Sequence, residues 1–197
     1  PCKDIGGDFF DMVHTGKGLS LVVADVSGKG VSAAVVASTL QGMLYSHLSE
    51  DSALPEMIAA VNRFLFEKIG GQKYATLVIA RLLRDGQLEL INCGHVPPIL
   101  ISGNSLTRLE DGNVPVGLIP AVKYNSVKLQ LKPGDRLVVV TDGVTEAEDA
   151  SGEFFGSDRL DTCCREGFAG IERAVTKFRG DTPLSDDCTL TEMIYRG

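Results

Sequence analysis

Residues 75–93 read ATLVIARLLRDGQLELINC. Two aliphatic, partly β-branched runs, 75–83 and 87–93, flank the turn pair Asp85-Gly86, which predicts an antiparallel hairpin. Working forward, residues 98–102 and 105–110 repeat the pattern about Gly103-Asn104, residues 124–131 and 136–141 follow, and 188–195 closes the chain. The central strands are expected to form an antiparallel meander. Working backward, residues 8–13 and 19–26 form a second predicted hairpin about Gly16-Lys17-Gly18.

Between the two hairpins the period changes. Residues 31–48 are rich in Ala and place Val35, Val36, Leu40, Met43, Leu44 and Leu48 at helical spacing, so a helix packed on one face is expected. A second helix is expected over 55–69, with Ser52 as N-cap, Pro55 in its first turn and Gly70-Gly71 as its stop. Helical signal returns over 157–165 and 169–178. Strands come in blocks joined by short turns rather than alternating with helices, which predicts an α+β fold of antiparallel sheets with helices on their outer faces. A doubly wound parallel sheet is the alternative.

The chain has 197 residues, with 44% hydrophobic and 23% charged, which suits one compact domain, 1–197. Lys and Arg number 19 against 26 Asp and Glu, a net charge of −7 with no basic cluster, so nucleic acid is not an expected partner. Apolar runs such as 21–24 and 137–140 are far too short to cross a bilayer, so membrane insertion is not expected either. The five cysteines include the adjacent Cys163 and Cys164 and no C-x-x-C pair, a usage that fits a reducing cytoplasm. The start on Pro1-Cys2, with a motif already under way at residue 5, reads as a domain cut from a longer protein.

The chemistry lies in the acids. Asp8 follows Gly6-Gly7, Asp25 ends the run 21–24, Asp142 ends 138–141, and Asp186-Asp187 precedes the last strand. An ionised carboxylate at the end of a buried strand is costly to desolvate unless it is paired or ligates a cation. No basic residue adjoins Asp25 or Asp142 in sequence. Four such sites point to a hard divalent ion on oxygen ligands, Mg²⁺ or Mn²⁺. Two ions about 3.5–4 Å apart could clamp a phosphoryl group and activate water. The segment 27–32 lacks the glycine spacing of a Walker loop, and Asp142-Gly143-Val144 lacks the second Asp of a haloacid-dehalogenase nucleophile motif.

The stretches IGGDFFD at 5–11, ADVSGKG at 24–30, YATL at 74–77, NCGHVPP at 92–98, TDGVTE at 141–146, Phe155-Gly156 with Arg159-Leu160, and SDDCT at 185–189 occur in this order. Together they resemble the SpoIIE/RsbU branch of the metal-dependent protein phosphatase 2C (PPM) superfamily. The resemblance implies a sandwich of two antiparallel β-sheets flanked by helix pairs, with a two-metal site at one edge. It implies that Asp25 bridges two Mn²⁺ or Mg²⁺ ions, with the Val26 carbonyl as a further ligand. Asp142 and the Asp186-Asp187 pair would hold one ion, Asp186 being favoured because it stands three residues before Thr189; Asp8 would serve the other, directly or through water. Asp25 and Asp142 would act in catalysis through a metal-activated water that attacks phosphoserine or phosphothreonine, without a phosphoenzyme.

The implied substrate is a phosphorylated STAS-type anti-sigma-factor antagonist, in a cytoplasmic bacterial partner-switching pathway. The resemblance also implies an N-terminal sensor or receiver domain outside this chain, through which a homodimer would form. The rival readings are a pseudophosphatase that binds without turnover and a two-metal phosphohydrolase acting on small molecules. His95, before Pro97-Pro98, reads as a turn former with a general-acid role as the alternative, and Lys29 as a solvated loop lysine. Thr191 and Glu192 predict that the last strand has one exposed face.

Overall fold

A computed structural model describes residues 5–197; Pro1 and Cys2, the start read as a cut, lie outside the described residues. The first hairpin forms as expected, with β1 (Phe9–His14) paired antiparallel to β2 (Gly18–Val26). Helices α1 (Val31–Ser49) and α2 (Leu54–Ile69) follow, then β3 (Ala75–Leu83) and β4 (Gln87–Cys93). The rest of the chain supplies β5 (Ile99–Ser102), β6 (Ser105–Arg108), β7 (Val127–Gln130) and β8 (Arg136–Val140). It then forms a short helix α3 (Asp142–Thr145), α4 (Gly156–Cys163), α5 (Gly167–Arg179) and β9 (Leu190–Ile194).

The strands build two antiparallel sheets, in the orders β1-β2-β3-β4-β7 and β6-β5-β8-β9. The expected meander therefore holds only as far as β4. After β4 the chain crosses to the second sheet, returns for β7 against β4, and crosses again for β8 against β5.

Side-chain alternation turns these sheets into four layers. On β2, Val22, Ala24 and Val26 face α1 and α2, while Leu21 and Val23 face the second sheet. On β8, Leu137 and Val139 face the first sheet, while Val138 and Val140 meet Phe155, Leu160, Ile171 and Val175 beneath α4 and α5. Helix, sheet, sheet and helix thus stack around three apolar layers, the sandwich flanked by helix pairs that the sequence motifs imply.

Four local details differ from expectation. Helix α1 buries Ala33, Ala37, Leu40, Leu44 and Leu48, and Val35 is exposed. Helix α2 begins after Ala53 rather than Ser52 and has no side-chain cap; Pro55 sits in its first turn and Gly70 ends it at φ 66°. The expected strand over 124–131 shortens to β7, because Tyr124 turns into the core and is 3% exposed. β9 is the edge of the second sheet, yet Glu192 is not on an open face: it accepts hydrogen bonds from Arg136 Nη1 (3.0 Å) and the Phe168 N–H (3.1 Å). No helix among the described residues is long and apolar enough to cross a membrane.

Candidate metal centre

Strand parity sets the site. Asp25 shares the inward face of β2 with Leu21 and Val23, so it continues the sandwich interior at its open end. Thr76 lies opposite it on β3. On β8 the same parity puts Thr141 at the inner end, fully buried, and the chain then turns into α3 with Asp142 as its first residue. Asp8 arrives just ahead of β1, and Asp186-Asp187 just ahead of β9.

The acids meet there. The Asp8 and Asp25 carboxyl groups lie within hydrogen-bonding reach of one another. Burial, then the charges of Asp8 and Asp142, and then Asp186, push Asp25 up to about 7. Asp142 is raised by burial and by Asp186, against partial relief from the Gly143 N–H and from Lys29. Asp8 is raised by burial and by Asp187, against the hydroxyls of Thr189 and Thr141. Asp25 therefore feels Asp8, Asp142 and Asp186, while Asp187 acts on Asp8. The members of the last pair are placed differently: Asp187 is 7% exposed, whereas Asp186 is half-buried.

Three glycines permit this crowding. A Cβ on Gly7 would stand 2.6 Å from the Val26 carbonyl oxygen, so only glycine leaves that oxygen accessible. A Cβ on Gly6 would stand 1.8 Å from Asp187 Oδ2, and one on Gly143 1.9 Å from the Asp187 carbonyl oxygen. A small cavity of about 60 Å³ is lined by Gly6, Gly7, Asp25, Val26, Lys29 and Asp186, among others. A larger groove, about 940 Å³ between α2 and residues 120–126, is lined by none of these acids.

Lys29 is an exposed loop residue, as expected, but it is paired. Its Nζ lies 3.0 Å from Asp186 Oδ2 and donates to the Ser185 carbonyl at 2.8 Å. Among the described residues it is the one basic residue lining the small cavity, set against several carboxylates. Glu146, which the sequence reading left unassigned, is also raised by burial and by Asp142 and Asp186.

His95 is 7% exposed, and its Nδ1 meets Thr76 Oγ1 at 2.8 Å. Its N–H donates to Asn92 Oδ1, and Asn92 Nδ2 donates back to the His95 carbonyl. Burial lowers its pKa to about 4, and its Nε2 is buried without a hydrogen-bond partner among the described residues. A neutral imidazole locked in a turn behind Thr76 suits the turn-forming role.

Carboxylate oxygens with one backbone carbonyl make a donor set suited to hard divalent ions, and mutual repulsion among the acids favours a cation. Among the described residues no three His, Cys, Asp or Glu side chains form a ready-made ligand cluster. The acids are gathered within electrostatic reach of one another without converging on one point.

Residues 15–194 match the family model described as Stage II sporulation protein E (SpoIIE). The chain is 28% identical over 156 residues to the phosphoserine phosphatase RsbU of Bacillus subtilis, covering 77% of this chain and 46% of that protein. The structure of the RsbU and RsbW domains of Rv1364c from Mycobacterium tuberculosis superposes with a TM-score of 0.82 at 30% identity, covering 98% of this chain and 56% of that one. RsbX, solved in complex with magnesium, shares the fold with a TM-score of 0.75 at 20% identity, over 96% of this chain and 87% of that one. The chain spans less than half the length of the curated relatives it matches.

Proposed function

Since the chain belongs to the SpoIIE family, the SpoIIE/RsbU branch of the PPM phosphatases, we propose that it is a metal-dependent protein serine/threonine phosphatase domain. The observation that carries this reading is where Asp25 stands: it lines a small cavity together with Val26 and Asp186, within electrostatic reach of Asp8 and Asp142 as well.

The residues present fit two Mn²⁺ or Mg²⁺ ions. Asp25 would serve both, with the Val26 carbonyl as a further ligand, Asp142 with Asp186 one, and Asp8 the other, while Asp187 packs between Gly6 and Gly143. When bound, the ions would supply Lewis-acid polarisation of the phosphoryl group and a lowered water pKa. The chain's own contribution is to hold the carboxylates at a fixed, partly dry edge, so that little reorganisation accompanies the charge that develops. Lys29, held by Asp186 and the Ser185 carbonyl at the cavity rim, would be the cation placed to meet a phosphate oxygen; no arginine lines the cavity among the described residues.

The substrate is then a phosphoserine or phosphothreonine protein, of the STAS-type anti-sigma-factor antagonist class, in a cytoplasmic partner-switching pathway. The chain would be one domain of a longer protein, with homodimerisation through a region outside it. Cleavage of such a phosphoprotein far faster than of small phosphate esters supports this reading. The reverse preference would identify a small-molecule phosphohydrolase, and tight binding without turnover a pseudophosphatase.

A further inference from the structure

Asp8 does not hang freely at the mouth of the site. Its Oδ2 accepts two hydroxyls, from Thr141 and from Thr189, each at 2.8 Å. These partners lie 133 and 181 positions away in sequence, at the end of β8 and the approach to β9.

The polar groups of Thr141 can be accounted for one by one. Its N–H donates to the Thr189 carbonyl at 3.0 Å, and its carbonyl accepts from the Val144 N–H at 3.1 Å. Because that carbonyl is taken up by α3, the Thr189 N–H turns instead to the Thr141 hydroxyl, at 2.9 Å. A hydroxyl has one proton, and with its oxygen accepting from Thr189, that proton goes to Asp8. Thr141 is fully buried, so no solvent competes for it. Position 141 follows Val138-Val139-Val140, and what sets it apart from them is the hydroxyl. The hydroxyl answers to Asp8 rather than to packing.

We propose that Thr141 and Thr189 are positioning residues that clamp Oδ2 of Asp8 and so present its other oxygen to the divalent ion that Asp8 serves. This inference rests on the two-metal reading above. Two donors on one oxygen fix the plane of the carboxylate as well as its place. The same pair ties together the three segments that carry Asp8, Asp142 and Asp186. Loss of a hydrogen-bond partner behind a metal ligand costs about 10–100-fold in metal affinity.

The test is Mn²⁺ binding by calorimetry to wild type, Asp8→Asn, Thr189→Val and Thr189→Ser, with thermal melts confirming folding. Thr189→Val keeps the side-chain shape and the backbone bond to Thr141 while removing the hydroxyl. The clamp predicts that Thr189→Val weakens about 10–100-fold the same ion that Asp8→Asn loses, that the other ion binds unchanged, and that Thr189→Ser restores wild-type binding. If Thr189→Val does not fold, Thr189→Ala, which also removes the hydroxyl and keeps the backbone bond to Thr141, serves in its place. Wild-type binding of both ions by the folded variant without the hydroxyl, or equal weakening of both ions, would overturn the clamp alone. A wild type that binds no Mn²⁺ would overturn the metal centre and the clamp with it.

Discussion

Gly143 lies so close to Asp187 that a Cβ in its place would stand 1.9 Å from the Asp187 carbonyl oxygen. Its backbone is not in the left-handed region, so the constraint is steric alone. Gly143→Ala should push residues 185–188 away from α3 and carry Asp186 out of reach of Asp142. A cost of about 1–3 kcal/mol is expected, as for overpacking, with a larger relative loss of phosphate release. Urea unfolding beside a turnover assay would check this; an alanine variant that matches wild type in both contradicts the packing described.

Asp25, raised to about 7 from an unfolded value of 3.8, makes the metal-free protein sensitive to pH. A carboxyl whose folded pKa is raised contributes stability that is fully present below 3.8 and is lost as pH rises through about 7. Asp8 and Asp142 are raised as well and act with the same sign. Protein in chelator should therefore melt at lower temperature at pH 8 than at pH 5, and Asp25→Asn should flatten the dependence. Excess Mn²⁺ should remove most of the loss at pH 8, because the ion takes the place of the proton.

Saturating metal should also raise the melting temperature outright. A ligand that binds only the folded state adds about 2.7 kcal/mol at a hundred times its Kd. Two divalent ions bring +4 to a formal net charge of −7, so the stabilisation should exceed that of equal ionic strength from NaCl. Melts in MnCl₂, MgCl₂ and matched NaCl decide this, and equal shifts in all three would argue against specific sites.

The folds of the two N-terminal hairpin strands and of α1 are legible because their signals are local: Gly16-Lys17-Gly18 turns the chain, and residues 31–48 keep a helical period. The four acidic positions are legible because each ends or precedes an apolar run. Which sheet a strand joins is not, since β4, β5 and β8 have the same period and their partners are set by tertiary packing. The Lys29 pairing with Asp186 spans 157 positions, and the hydroxyls on Asp8 come from residues that look like ordinary strand formers. Gly6, Gly7 and Gly143 were visible as small residues beside acids; that each is an obligatory contact appears only once the backbones are brought together.

His95, lowered to about 4, stays neutral across the range in which a phosphatase would be assayed. Its folded pKa is depressed, so the stability it contributes is present above its unfolded value of 6.5 and is lost as pH falls through about 4. His95→Ala leaves Thr76 Oγ1 without its partner while keeping both backbone bonds to Asn92, at a cost of about 1–3 kcal/mol. The pH-rate profile from 6 to 8 should keep its shape. If the substitution removed one limb of the profile without destabilising the fold, His95 would be a general acid after all.

The central claim is hydrolysis directed by the acids around Asp25. The most direct test is phosphate release from a phosphoserine protein, with Mn²⁺ or with chelator, by wild type and by folded Asp25→Asn and Asp142→Asn variants. The account predicts release by the wild type that requires Mn²⁺ and is abolished by either substitution. Release that persists in chelator, or in either variant, would contradict it.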